Sequence, residues 1–234
     1  MVGLWVLLAT SATLSGCGQK SPFEAYFPLA EGHQWAYRVQ TQTDGDSTAK
    51  LSERRIENRG TSVIAGVTVR NRRTEQGLDY WLGSDATGVF RIAHRVPPDT
   101  EVRTDTPQRY VLRGPIAVGT QWETPTTLFL LTSKHEVQSE TERTPAALMM
   151  RYRITAIGQE VVTPAGRFDR CITVEGEAEV RLWVETLRQL RDVPIRSTEW
   201  YCFDVGLVRL ERIEPSPSRF MSGGKVLLEL TNWQ

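Results

Sequence analysis

Along most of this chain apolar and polar positions alternate with a period of two, and Gly or Pro breaks the pattern roughly every 10 to 15 residues, as between strands of a meander. Trp35-Ala36-Tyr37-Arg38-Val39, Val67-Thr68-Val69-Arg70, Val89-Phe90-Arg91-Ile92 and Val226-Leu227-Leu228-Glu229-Leu230 are typical. Their β-branched and aromatic side chains suit a pleated surface. Leu182 to Leu190 is ambiguous: Trp183, Leu187 and Leu190 would share a helical face, whereas Val180, Leu182 and Val184 alternate as in a strand. The strand reading is preferred and predicts a long hairpin, Glu179 to Gln189 against Val193 to Cys202. The expected fold is all-β, a single large antiparallel twisted sheet curled into a barrel or half-barrel, which reduces exposed edges. Pro97 to Pro107 (PPDTEVRTDTP) reads as a surface loop, leaving residues 26–234 as one β domain.

An internal echo suggests how such a sheet is assembled. Pro28-Leu29-Ala30-Glu31-Gly32-His33-Gln34-Trp35 recurs as Pro115-Ile116-Ala117-Val118-Gly119-Thr120-Gln121-Trp122. Each copy is followed by an aromatic pair and a Gly-apolar-apolar-Arg strand: Tyr80-Trp81 with Gly88 to Arg91, then Trp200-Tyr201 with Gly206 to Arg209. A Gly-closed turn that launches a strand with Trp over the core explains the motif. Two fused meanders, near residues 28–91 and 115–209, are expected.

The one strongly apolar run, Val2 to Ala9, is about eight residues long, where a bilayer crossing needs roughly 20. It reads as the core of an export signal spanning residues 1–16; a buried N-terminal strand of a cytosolic protein is the alternative. The run ends in Leu14-Ser15-Gly16-Cys17, which resembles the lipobox of bacterial lipoproteins. That resemblance implies that Cys17 receives a diacylglyceryl thioether and becomes the mature N-terminus. More than one acyl chain, each buried CH₂ contributing about 0.8 kcal/mol, gives stable attachment without a span. Residues 17–25 would form a lipidated tether that keeps the domain within roughly 20 to 30 Å of the bilayer. Gly18, standing where Asp resembles a retention signal, points to the outer membrane, facing the periplasm.

Composition adds exclusions. With 28 Lys+Arg against 28 Asp+Glu there is no electrostatic reason to expect a nucleic-acid partner. Once Cys17 is assigned to the anchor, Cys171 and Cys202 remain, and in an oxidising compartment two such residues most often pair. A disulfide is expected, with two buried free thiols as the alternative, and side-chain parity does not decide because Cys171 should face away from Ile172 and Val174.

Candidate chemistry is sparse. His33, His94 and His135 lack metal-binding spacing, and no nucleophile elbow, P-loop or dinucleotide fingerprint occurs, so no metal, no cofactor and no enzyme activity are expected. Asp44-Gly45-Asp46 reads as a polar hairpin turn rather than a calcium site. Arg70-Asn71-Arg72-Arg73, with Arg54 and Arg55, reads as a solvated strand face, with anionic headgroups as the alternative partner. Trp35, Trp81, Trp122 and Trp200 either fill the core or line a ligand groove, the core being favoured.

YFPLAEGHQWAYRV, AGRFDRCITVEG, WYCFDVGLVRLE and GGKVLLEL together resemble a broad group of uncharacterised bacterial lipoproteins, with an N-terminal FPLxxGxxWxY motif and a C-terminal WYxxxVGLVR motif. More remotely, the architecture is similar to lipoprotein localisation factors, which hold acyl chains in a half-barrel. The lipobox, the sheet-rich pattern and the missing catalytic constellation together point to a lipid-anchored envelope protein acting as a non-enzymatic binding or assembly module, with a membrane and an envelope protein or lipid as partners. A carrier of lipid or another hydrophobic ligand is the alternative. An envelope hydrolase using Glu175, Glu177 and Glu179 is a third.

Overall fold

A computed structural model describes residues 21–133, 148–184 and 187–234. Alternation is realised directly as burial. In β9 (Leu148–Thr163), Leu148, Met150, Tyr152 and Ile154 turn inward while Met149, Arg151 and Arg153 are exposed. Such strands can satisfy their backbones only by pairing, and twelve of them form one antiparallel sheet. The first six are β1 (Gln34–Thr43), β2 (Lys50–Ile64), β3 (Val67–Thr74), β4 (Asp79–Asp85), β5 (Gly88–Arg95) and β6 (Arg103–Arg113). The second set is β7 (Gln121–Thr126), β9, β10 (Gly166–Val184), β11 (Gln189–Cys202), β12 (Gly206–Glu214) and β14 (Gly224–Trp233). Two short strands, β8 (Thr132–Ser133) and β13 (Met221–Ser222), pair separately.

Along the sheet the order is β6-β5-β4-β3-β2-β1-β14-β12-β11-β10-β9-β7, two meanders joined where β1 pairs with β14. The expected all-β curled sheet is therefore present, and it nearly closes into a barrel. The edge strands β6 and β7 come together without a ladder between them, and the seam is crossed by a hydrogen bond from Arg109 to Thr126 Oγ1 at 3.3 Å. The sequence echoes fall at equivalent places in the two meanders. Trp35 and Trp122 open their first strands, each following a glycine with positive φ (Gly32 89°, Gly119 95°), and Gly88 and Gly206 begin the fifth.

The chain before β1 caps one end of the barrel. Phe23, Phe27 and Leu29 are buried in the main core. Asn58 Nδ2 donates to Pro28 O and Ala30 O, and Asp204 N donates to Ala25 O. Packing thus begins earlier than residue 26, because Phe23 fills the space over Gly114, where a Cβ would lie 2.3 Å from its ring. The opposite end is crossed by the segment 127–131. Glu214, fully buried, accepts the backbone N–H groups of Phe129, Leu130 and Leu131 and the Nε–H of Arg212, whose Nη2 donates to Thr127 O and whose Nη1 donates to Met150 Sδ. A second core cluster gathers where the β9–β10 hairpin folds back and Ala165 N donates to Leu230 O at 3.0 Å.

The β10–β11 hairpin forms, with a shifted turn. Val184 lies opposite Gln189 and Arg181 opposite Asp192, so Gln189 belongs to the returning strand. The bidentate Arg181–Asp192 ion pair suits this register, and Arg188 takes a positive φ of 47°.

Candidate functional site

Inside the barrel, under the seam, lies a half-open lumen of about 240 Å³. Apolar surface from Phe27, Leu82, Val111, Leu207 and Leu210 makes up most of its lining, yet four arginines also face it: Arg72, Arg91, Arg109 and Arg212. Their electrostatic situations differ. Arg212 is matched by Glu214 at 2.9 Å, with 1% and 0% of the two side chains exposed. Arg91 is held bidentately by Asp105 at 2.5 and 2.8 Å. Asp105 also meets His94 Nδ1 at 3.1 Å, and burial, reinforced by Arg91 and Arg103, keeps this imidazole below its ordinary value despite Asp105.

Among the described residues, neither Arg72 nor Arg109 has a carboxylate partner. Arg72 donates to Asn58 Oδ1 and Pro28 O, and its guanidinium stacks 4.0 Å from the Phe27 ring centroid and 4.6 Å from that of Trp35. Burial lowers its pKa to about 10, which still leaves it charged at neutral pH. Arg109 donates to Thr126 and lies directly opposite Arg91 in the β5–β6 register. Like charges in opposed positions destabilise a sheet unless something compensates them.

Glu199 is the remaining lining carboxylate, and it accepts from Ser197 Oγ at 3.1 Å and from the Tyr201 hydroxyl. Burial first, and Glu199 second, push the Tyr201 hydroxyl far above the ordinary tyrosine range, so it stays a neutral donor. Tyr152 and Tyr37 are raised mainly by burial too. Counting Asp105 and Glu214 with their partners, among the described residues four positive groups face three negative ones, a net charge of +1 in a partly desolvated space. One further polar group is unpartnered: Thr124 Oγ1, which is buried on the seam strand β7 and lines the same lumen.

The residues singled out from sequence are distributed elsewhere. Cys171 and Cys202 form a disulfide between opposed positions of β10 and β11. Parity could not decide this because register shifts flank Cys171, and Cys171 and Ile172 are both buried, in different clusters. Trp35 is core, donating from Nε1 to Val205 O at 2.7 Å. Trp122 is core, stacked on Tyr152 with ring centroids 5.6 Å apart. Trp81 and Trp200 are partly buried beneath Arg95 and Arg209. None of the four lines the lumen, whereas their sequence neighbours Tyr80 and Tyr201 do. Glu175, Glu177 and Glu179 lie exposed along β10. Asp44 accepts from Ser216 N at the β1–β2 turn. Of the basic strip, Arg73 meets Asp79 and Arg70 donates to Thr61, but Arg72 turns inward, contrary to its expected solvated face. Cys17 and His135 lie outside the described residues. Among the described residues, no group of three or more His, Cys, Asp or Glu is placed to hold a metal ion.

No family model and no curated protein matches the chain. It is similar to two solved structures. One is a "putative lipoprotein" from Parabacteroides distasonis, 13% identical, covering 92% of this chain and 100% of that one with a TM-score of 0.48. The other is a "putative exported protein with YmcC-like fold" from Bacteroides fragilis, 14% identical, covering 88% of this chain and 97% of that one with a TM-score of 0.40.

Proposed function

We propose that this protein is a non-enzymatic binding module of the bacterial envelope, anchored by lipid on Cys17, which takes a small ligand into the lumen of its curled sheet. The observation that carries the reading is the half-open cavity of about 240 Å³ whose charged lining, among the described residues, is left with one excess positive charge. Core positions with no ligand to meet are ordinarily apolar, because a buried charge without a partner is costly. The LSGC motif at residues 14–17 supports the anchor and, through it, the envelope location.

The volume also weighs on the lipid-carrier alternative. It exceeds the roughly 150 Å³ cavity known to admit benzene. A lipid with two long acyl chains is several times larger than benzene. The lumen suits a small ligand better than a whole membrane lipid.

Two measurements test the reading. Cys17→Ser should move the protein from the membrane fraction to an unprocessed or soluble form; unchanged fractionation would remove the anchor. Leu207→Trp, which places an indole in the lumen, should abolish ligand retention in native mass spectrometry while the variant still melts cooperatively. Equal retention by a folded Leu207→Trp variant would exclude the lumen as the site.

A further inference from the structure

Resting on the lumen reading above, we propose that the ligand is a single-chain, singly negative amphiphile whose anionic head sits against Arg109 at the seam and whose short apolar body lies along Phe27, Leu82 and Leu207. Three independent observations converge on this class. The first is the charge balance of the wall, where Asp105 and Glu214 neutralise Arg91 and Arg212, Glu199 offsets one more cation, and one positive charge is left over. A monoanion makes the site neutral; a dianion or a cation does not.

The second is the placement of Arg109. It stands opposite Arg91 on the neighbouring strand, and its described hydrogen bond is a 3.3 Å contact to Thr126 Oγ1 across the seam. A guanidinium carries five N–H donors in a fork that fits two oxygens of one head group, so most of Arg109's capacity is unused.

The third is the Thr124 hydroxyl, buried without a partner two residues before Thr126 on the same face of β7. A lone hydroxyl in such a place is satisfied by a ligand oxygen or a water. The head-group donors thus come from both edges of the seam, β6 and β7, where no backbone ladder obstructs access. The two ends of the barrel are covered, one by the segment carrying Phe23 and Phe27 and the other by the segment held on Glu214. Size sets the rest: a lumen of about 240 Å³, somewhat larger than the roughly 150 Å³ cavity that admits benzene, suits a short apolar body.

The test uses probes of one length and different heads: octanoate, octyl phosphate, octanol and octylammonium, titrated into the folded protein by calorimetry or by intrinsic tryptophan fluorescence. Octanoate is expected to bind at least tenfold more tightly than octanol, the difference one charge-assisted hydrogen bond supplies, and octylammonium more weakly still. Octanoate, a monoanion, is expected to bind more tightly than octyl phosphate, which with a second pKa near 6 is mostly a dianion at neutral pH, and tighter binding of octyl phosphate would overturn the single negative charge in favour of a phosphate head. Arg109→Gln, on an edge strand and outside the core, should keep the melting behaviour and bring octanoate down to the octanol affinity. Octanol binding as tightly as octanoate would overturn the charge assignment while leaving the lumen reading intact. Octanoate preference undiminished in Arg109→Gln would overturn the assignment to Arg109. If none of the four probes binds and Leu207→Trp behaves like the native chain, the lumen reading itself fails.

Discussion

Replacing Glu214 probes the most heavily engaged carboxylate of the fold. Its side chain is 0% exposed and accepts from Arg212 Nε at 2.9 Å and from the amides of Phe129, Leu130 and Leu131 at 2.7 to 3.0 Å. Glu214→Ala removes the acceptor for a guanidinium that is itself 1% exposed, and breaking one side of a buried pair costs about 3–5 kcal/mol. Freed amides at the partly exposed segment 127–131 can recover water, so they add little to that figure. At about 2–4 °C per kcal/mol for a chain of this size, the melting point should fall by roughly 6–20 °C. Urea denaturation followed by tryptophan fluorescence gives the free energy, and hydrogen exchange of residues 129–131 gives its location. The double variant Arg212→Met with Glu214→Leu removes both charges together and should be more stable than Glu214→Ala, because no uncompensated cation remains. It should still show fast exchange at residues 129–131, whose acceptor is gone. A Glu214→Ala protein within about 1 kcal/mol of the native chain would refute the clamp, and so would unchanged exchange at those amides.

Three further outcomes are expected. Cys171→Ala with Cys202→Ala should lower stability by about 3–4 kcal/mol in urea, the chain-entropy value for a separation of 31 residues, and no loss would show that the hairpin already restrains the unfolded chain. Gly176→Ala puts a methyl carbon 2.6 Å from Tyr152 Cε1 and 2.8 Å from Met150 Sδ, so it should cost about 1–3 kcal/mol and alter the near-UV circular dichroism of the stacked Trp122–Tyr152 pair; an unperturbed spectrum would contradict the contact. His94 has a folded pKa below its ordinary 6.5, so on acidification the unfolded state takes up its proton first, and the stability it contributes is full above that value and lost as pH falls toward the depressed one. His94→Gln should therefore flatten the fall in melting temperature between pH 7 and pH 5, and an unchanged slope would assign that fall to other groups.

The barrel was legible because its information is local and repetitive. A strand with one face inward must alternate, as Leu148 to Ile154 does, and a turn needing positive φ selects glycine, as at Gly32 and Gly119. What escaped was set by irregularities. The β10–β11 turn was misplaced because Leu187 and Leu190 look like strand or helix core from their spacing, yet both are exposed near the hairpin tip. The bulges around Cys171 break the alternation from which parity reasoning proceeds.

The lumen was invisible for a deeper reason: its chemistry inverts the assumption that an arginine in an alternating segment faces solvent. Arg72 and Arg73 are adjacent, so one must face inward, but no local signal says which; the choice falls on Arg72 because Phe27 and Trp35 flank its guanidinium and Asn58 supplies an acceptor. Those three residues come from the cap, from β1 and from β2, and are brought together only by closure of the sheet. Arg109 is harder still, since its importance depends on standing opposite Arg91 and on the absence of a ladder beyond it. The tryptophans, by contrast, drew attention as large aromatic groups and proved to be where such groups most often go, against the core or beneath surface arginines. In a curled sheet of this kind, a charged residue in phase with the apolar ones, such as Glu199, Arg212 or Glu214 among Val193, Ile195 and Val208, is therefore a better pointer to an internal site than an aromatic one. Burying a charge needs a compensating partner, and where the described residues offer a half-buried guanidinium such as Arg109 a hydroxyl and no carboxylate, a ligand is the group that can complete it.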